Sequence, residues 1–67
     1  MMAEGWYWVT VVGRRMAGML WAANHRAAAV KFARHYRPAP RYAVEVDQGG
    51  RRHGKQTFWV EGRRVKG

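Results

Sequence analysis

Apolar and polar residues alternate along residues 5–12, 41–47 and 55–61, and between the first and second of these runs the spacing changes to threes and fours. In GWYWVTVV (5–12) an extended backbone puts Tyr7, Val9 and Val11 on one side and Trp6, Trp8, Thr10 and Val12 on the other. RYAVEVD (41–47) and KQTFWVE (55–61) repeat the pattern, and the glycine-rich QGGRRHG between them reads as the turn of a hairpin. Folding that hairpin about Arg51 sets Asp47 opposite Lys55, Arg41 opposite Glu61, Val44 opposite Phe58 and Tyr42 opposite Val60. Opposite charges and apolar pairs are matched in one register, so several levels of pattern agree.

The first hairpin is less determined. GRRM (13–16) reads as its turn and AGMLWAA (17–23) as its second strand. With Arg14 and Arg15 at the tip, Trp8 faces Trp21, Thr10 faces Met19 and Val9 faces Leu20. A slip of one residue would instead turn Trp21 and Met19 to the core side. A helix starting near Met16 is a further alternative for this stretch.

Asn24 is a good N-cap, and HRAAAVKFARHY (25–36) behind it has helical period. Ala28, Ala29, Phe32, Ala33 and Tyr36 gather on one side of that helix, whereas Lys31, Arg34 and His35 gather on the other. The small residues let it lie close to a sheet, with Phe32 and Tyr36 as anchors, and the RPAP segment (37–40) ends it, since neither proline can continue the hydrogen-bond ladder. The pattern therefore predicts an α+β fold: a small two-layer domain with an antiparallel sheet of three to four strands, in the chain order β-β-α-β-β, and one amphipathic helix on one face. The expected core is Val9, Val11, Leu20, Phe32, Ala33, Val44, Val46 and Phe58, within a single domain over residues 1–67. The basic tail at 62–67 is expected to fray.

Charge changes the picture most. Thirteen Lys and Arg stand against four acids, a net charge of +9, and the isoelectric point is near 11.5. Such a field attracts phosphate backbones, anionic membranes or acidic proteins. Arginine outnumbers lysine ten to three, which favours forked contacts to phosphate and stacking on bases. With no cysteine there is neither a disulfide framework nor a thiolate metal site, and a cytoplasmic setting is expected. The longest apolar run, residues 16–23, is far short of the roughly 20 residues that span a bilayer, so no membrane partner is expected.

The sheet face away from the helix would carry Trp6, Trp8, Met19, Trp21, Arg41, Ala43, Glu45, Thr57 and Trp59. Several exposed tryptophans together call for something to cover them. The first expectation is nucleic acid, DNA or RNA, bound without an enzymatic step and with little sequence selectivity. Bases would stack on Trp6, Trp8, Trp21 and Trp59, while Arg14, Arg15, Arg51, Arg52, Arg63 and Arg64 flank the platform and hold phosphates. The helix face with Arg26, Lys31, Arg34, His35 and Arg37, continued by Arg41, is a second candidate contact surface. The alternative is a protein-binding effector or inhibitor of the phage or mobile-element type, docking on a host protein by the same tryptophan face. A homodimer through that face is compatible with either.

Catalytic chemistry has little to stand on. Thr10 and Thr57 sit in no nucleophile motif, and His25, His35 and His53 lack ligand spacing, so no enzyme activity, metal or cofactor is expected. Glycines 49, 50 and 54 make a turn with no helix behind it, unlike a phosphate cradle. The aromatic strands, single helix and basic tips are loosely similar to small RNA- and DNA-binding sheets. The Lys/Arg-Gly-aromatic pattern of the RNA-recognition motif is absent.

Overall fold

A computed structural model describes residues 4–36, 39–48 and 54–66. Its elements follow the chain as β1 (Gly5–Val11), β2 (Ala17–Ala22), α1 (His25–His35), β3 (Arg41–Gln48), β4 (Gln56–Glu61) and β5 (Arg64–Lys66). The strands form one five-stranded sheet in the order β2-β1-β3-β4-β5, each antiparallel to its neighbour. The α+β two-layer architecture stands, with one strand more than the sequence pattern predicts. Since β2 and β3 both run opposite to β1, they run parallel to each other on either side of it, and α1 is the crossover that links them. Parallel neighbours need such a connection.

Every strand turns at least one buried apolar side chain to the helix. Tyr7, Val9 and Val11 of β1, Tyr42, Val44 and Val46 of β3, Phe58 and Val60 of β4 and Val65 of β5 are buried together with Ala22. Ala28, Ala29, Phe32 and Ala33 of α1 close the core from above. The alanines bring the helix backbone near the sheet, and the Phe32 ring fills the space they leave. Burial of a side chain of that size contributes about 1.5–3 kcal/mol. Leu20, expected in the core, is only partly buried beside it.

Asn24 caps α1 as its sequence implies: its Oδ1 accepts from the Ala27 N–H at 2.8 Å. At the other end Tyr36 adopts an extended backbone, its N–H donating to the Phe32 carbonyl, which turns its ring out of the core. Tyr36 is therefore 44% exposed, stacked on Phe32 at 4.8 Å rather than anchoring the helix from beneath. Two cations on the helix flanks tie down both edges of the sheet. Lys31 Nζ donates to the Trp21 carbonyl of β2, and an Arg26 guanidinium N–H donates to the Val65 carbonyl of β5.

The second hairpin pairs as expected over Arg41–Glu61, Tyr42–Val60 and Val44–Phe58. Its ladder ends at Val46–Gln56, so Asp47 and Lys55 fall one step beyond it, and no ion pair joins them. The first hairpin differs from the predicted register by two residues. Trp6 faces Trp21, Trp8 faces Met19 and Val9 faces Gly18. Gly13, at φ +79°, takes the backbone conformation that other residues resist, and the Val11 N–H to Met16 carbonyl bond closes the loop around it. The tip thus lies at Gly13 and Arg14 instead of at the two arginines. A shift of two keeps every side chain on its face, so both hairpin strands present the side expected.

Within the basic tail, residues 64–66 form β5. Gly62, at φ +63°, reverses the chain, and Val65 pairs with Val60 and buries its side chain, while Arg64 and Lys66 face outward.

Candidate nucleic-acid interface

The uncovered face of the sheet follows directly from the registers. From β2 to β5, one row across the strands is Met19, Trp8 and Asp47, the next is Ala17, Thr10, Glu45 and Thr57, and beyond it come Ala43, Trp59 and Lys66. Arg41, Glu61 and Arg64 form the row at the far end. All four tryptophans lie on this face, exposed by 54% (Trp6), 44% (Trp8), 46% (Trp21) and 60% (Trp59). Alternation in the sequence is sufficient to place Trp6, Trp8 and Trp59 there, whereas Trp21 depends on the register of the first hairpin.

They do not form one platform. Trp6 and Trp21 meet edge to face at 5.5 Å, with Trp8 and Met19 in the adjoining row, at the end of the sheet where β1 begins. Trp59 stands apart on β4, separated from them by the acids of β3. Glu45 and Asp47 face Thr10 and Trp8 across the β1–β3 ladder, and Glu4 Oε2 accepts from the Trp21 indole N–H at 3.2 Å. Three of the four acids of the chain thus border the three-tryptophan cluster.

The arginines gather at the other end. The loop between β1 and β2 carries Arg14 and Arg15, β3 starts with Arg41, and the turn into β5 carries Arg63 and Arg64. The Val12 N–H to Ala43 carbonyl and Gly62 N–H to Pro40 carbonyl bonds hold these segments side by side. Because α1 runs back down the sheet from β2 to the start of β3, its last turn brings Arg34 and His35 to the same end, where the helix dipole favours cations. All six of these arginines are exposed. The expectation that Arg14, Arg15, Arg63 and Arg64 flank Trp6, Trp8 and Trp21 is therefore corrected: they lie at the opposite end of the strands, Arg64 on the strand beside that of Trp59. Arg37, Arg51 and Arg52 lie outside the described residues.

Beside Trp59 is an open cleft of about 230 Å³ lined by Arg41, Trp59, Val60, Glu61 and Lys66. Glu61 bridges its two cations, at 3.1 Å from Arg41 Nε and 3.1 Å from Lys66 Nζ. The Lys66 hydrogen bond, then the charges of Lys66, Arg41 and Arg64, hold the Glu61 carboxyl below its ordinary range. The cleft joins an exposed indole to cations that a second anion could claim. A larger, shallow groove of about 430 Å³ runs along the helix over Ala27 and Val30, between Arg26, Lys31 and Arg34. Arg26 and Lys31 there already serve the sheet edges, which leaves Arg34 as the link to the arginine-rich end.

Among the described residues no three His, Cys, Asp or Glu side chains come together as a metal site would need. No helix among them is long and apolar enough to cross a membrane. No family model, curated protein or solved structure matches the chain.

Proposed function

We propose that the chain is a nucleic-acid-binding domain that grips single strands at the arginine-rich end of its sheet. One observation carries the reading: Arg14, Arg15, Arg34, Arg41, Arg63 and Arg64 come from four separate segments to one end of the fold, where Glu61 is the one acid among the described residues. Folding concentrates a charge that the sequence spreads along its length, and it does so beside an indole that is 60% exposed. Phosphates would take the guanidinium groups while a base stacks on Trp59 over the cleft between Arg41 and Lys66. Such contacts carry little base information, so binding is weakly selective and strongly salt-dependent.

Fluorescence anisotropy with a labelled single-stranded oligonucleotide tests this directly. Affinity should fall steeply as salt rises, and Trp59→Ala should cost about 1–3 kcal/mol, the range for a stacked base. Absence of binding at low salt would end the proposal. A second reading, a protein-binding module, is favoured by the acids around Trp6, Trp8 and Trp21, which suit a phosphate backbone poorly. A pull-down from nuclease-treated lysate separates the two: a stoichiometric protein retained after nuclease supports the second.

A further inference from the structure

Independently of whether nucleic acid binds at the arginine-rich end, we propose that the Trp6, Trp8, Met19 and Trp21 patch docks a basic polypeptide segment of a partner protein. Arginine or lysine heads of that segment lie on the indole faces, one pairing with Glu4 and another with Asp47, while its apolar neighbours cover Met19. This extends the protein-binding reading by naming the chemistry of the partner.

The first argument is area. Three half-exposed indoles and a 54% exposed methionine present on the order of 400 Å² of apolar surface, within the roughly 300–600 Å² range of monomer patches that are often functional. The second is charge complementarity. In a chain of net charge +9, three of four carboxylates border this one patch, none of the described arginines shares it, and Lys55, one step beyond the ladder from Asp47, forms no ion pair with it. A phosphate backbone laid here would meet Glu4, Glu45 and Asp47, whereas a cation meets both carboxylate and aromatic face. The third is ring geometry. Trp6 and Trp21 stand at 83° to each other, so they form a corner rather than a flat stacking surface, and Glu4 holds the Trp21 edge in place. Cations bind favourably over indole faces, and arginine does so most often.

The partner must approach a protein whose net charge repels it. Of the arginines at the far end, Arg14 lies eight residues along the chain from Trp6 and Arg15 four residues from Met19, so the nearer is on the order of 13 Å from the patch at the rise of an extended chain. That exceeds one Debye length at about 0.15 M salt, where the contact with Glu4 and Asp47 persists. Salt should therefore affect this surface much less than it affects nucleic-acid binding.

The test follows the four indole N–H resonances by NMR while a short synthetic peptide alternating arginine and leucine is added at about 0.15 M salt. The expected result is that Trp6, Trp8 and Trp21 shift and Trp59 does not. The same peptide with glutamate for arginine should move none of the three. The double variant Glu4→Gln/Asp47→Asn, at exposed and half-buried positions, should keep its circular dichroism and bind the arginine peptide at least about tenfold more weakly, equivalent to ~1.4 kcal/mol. A second variant, Arg14→Gln, should bind the peptide as the parent does.

Four outcomes overturn the proposal: no shift with the arginine peptide, equal affinity in the neutralised double variant, equal binding of the glutamate peptide, or a dimer at micromolar concentration in which a second copy covers the three rings. An oligonucleotide that shifts Trp6, Trp8 and Trp21 in place of Trp59 gives the patch to bases and overturns it as well. Failure of oligonucleotides to bind anywhere ends the nucleic-acid proposal and leaves this one standing on the peptide result.

Discussion

Glu61 titrates below the ordinary 4.5 because Lys66 donates to it and because Lys66, Arg41 and Arg64 surround it with positive charge. A carboxyl whose folded value is lowered binds fewer protons in the folded chain than in the unfolded one. Its stabilising contribution is complete above the unfolded value and is lost as pH falls through the folded one. Glu61→Gln should flatten the acid limb of a thermal-melting profile recorded from about pH 6 to pH 2, and the effect should be small because the group is exposed to solvent. The same substitution releases Arg41 and Lys66 and removes a negative charge from the cleft, so oligonucleotide affinity should rise a few-fold. Unchanged affinity would show that the cleft does not hold phosphate. The Arg41–Glu61 pairing was legible in the sequence because both residues lie inside the alternating runs. Asp47–Lys55 follows from the same register and yet forms no pair, since the ladder ends one step before it. Residue-level pairing holds only as far as the backbone bonds that align it.

At the scale of elements, two hairpins show why register is readable in one case and misread in the other. β3 and β4 contain charges that fit only one alignment. β1 and β2 offer large apolar residues that fit many, and the decisive residue is Gly13, whose positive φ sets the tip. The faces were still legible, because an error of two residues leaves the alternation intact. β5 was missed because Val65 is its only apolar residue; the signal was Gly62 as a reversal followed by one valine at the position that meets Val60. The helix was legible at both ends, through Asn24 and the prolines, and it dominates stability. Phe32→Ala should cost about 3–5 kcal/mol, which is most or all of the stability expected for so small a fold. The variant should accordingly show a lost or broad thermal transition. Asn24→Ala should cost about 1 kcal/mol through the unsatisfied Ala27 N–H, visible as a lower midpoint in urea with unchanged slope.

For the molecule as a whole, what the sequence could not reveal is polarity. The sequence predicts arginine clusters flanking the tryptophans, whereas the crossover helix and two hairpin turns bring six arginines to one end, with Glu4 and Asp47 beside three tryptophans toward the other and Glu45 in the row between. That separation follows from topology: the turns of β1–β2 and β4–β5, the start of β3 and the end of α1 must share an end once the sheet order is β2-β1-β3-β4-β5. It also supplies the sharpest test of the proposed function. If Arg14 and Arg15 each neutralise one phosphate of a single strand, each accounts for about 0.7 of the slope of log affinity against log salt. Arg14→Gln/Arg15→Gln should therefore reduce that slope by about 1.4 and weaken binding to all sequences alike. Because both side chains are exposed in a loop, the melting temperature should stay where it is. A slope that does not change would remove the arginine-rich end from the binding surface, whereas a reduced slope with sequence preference intact identifies it as the part that grips the backbone.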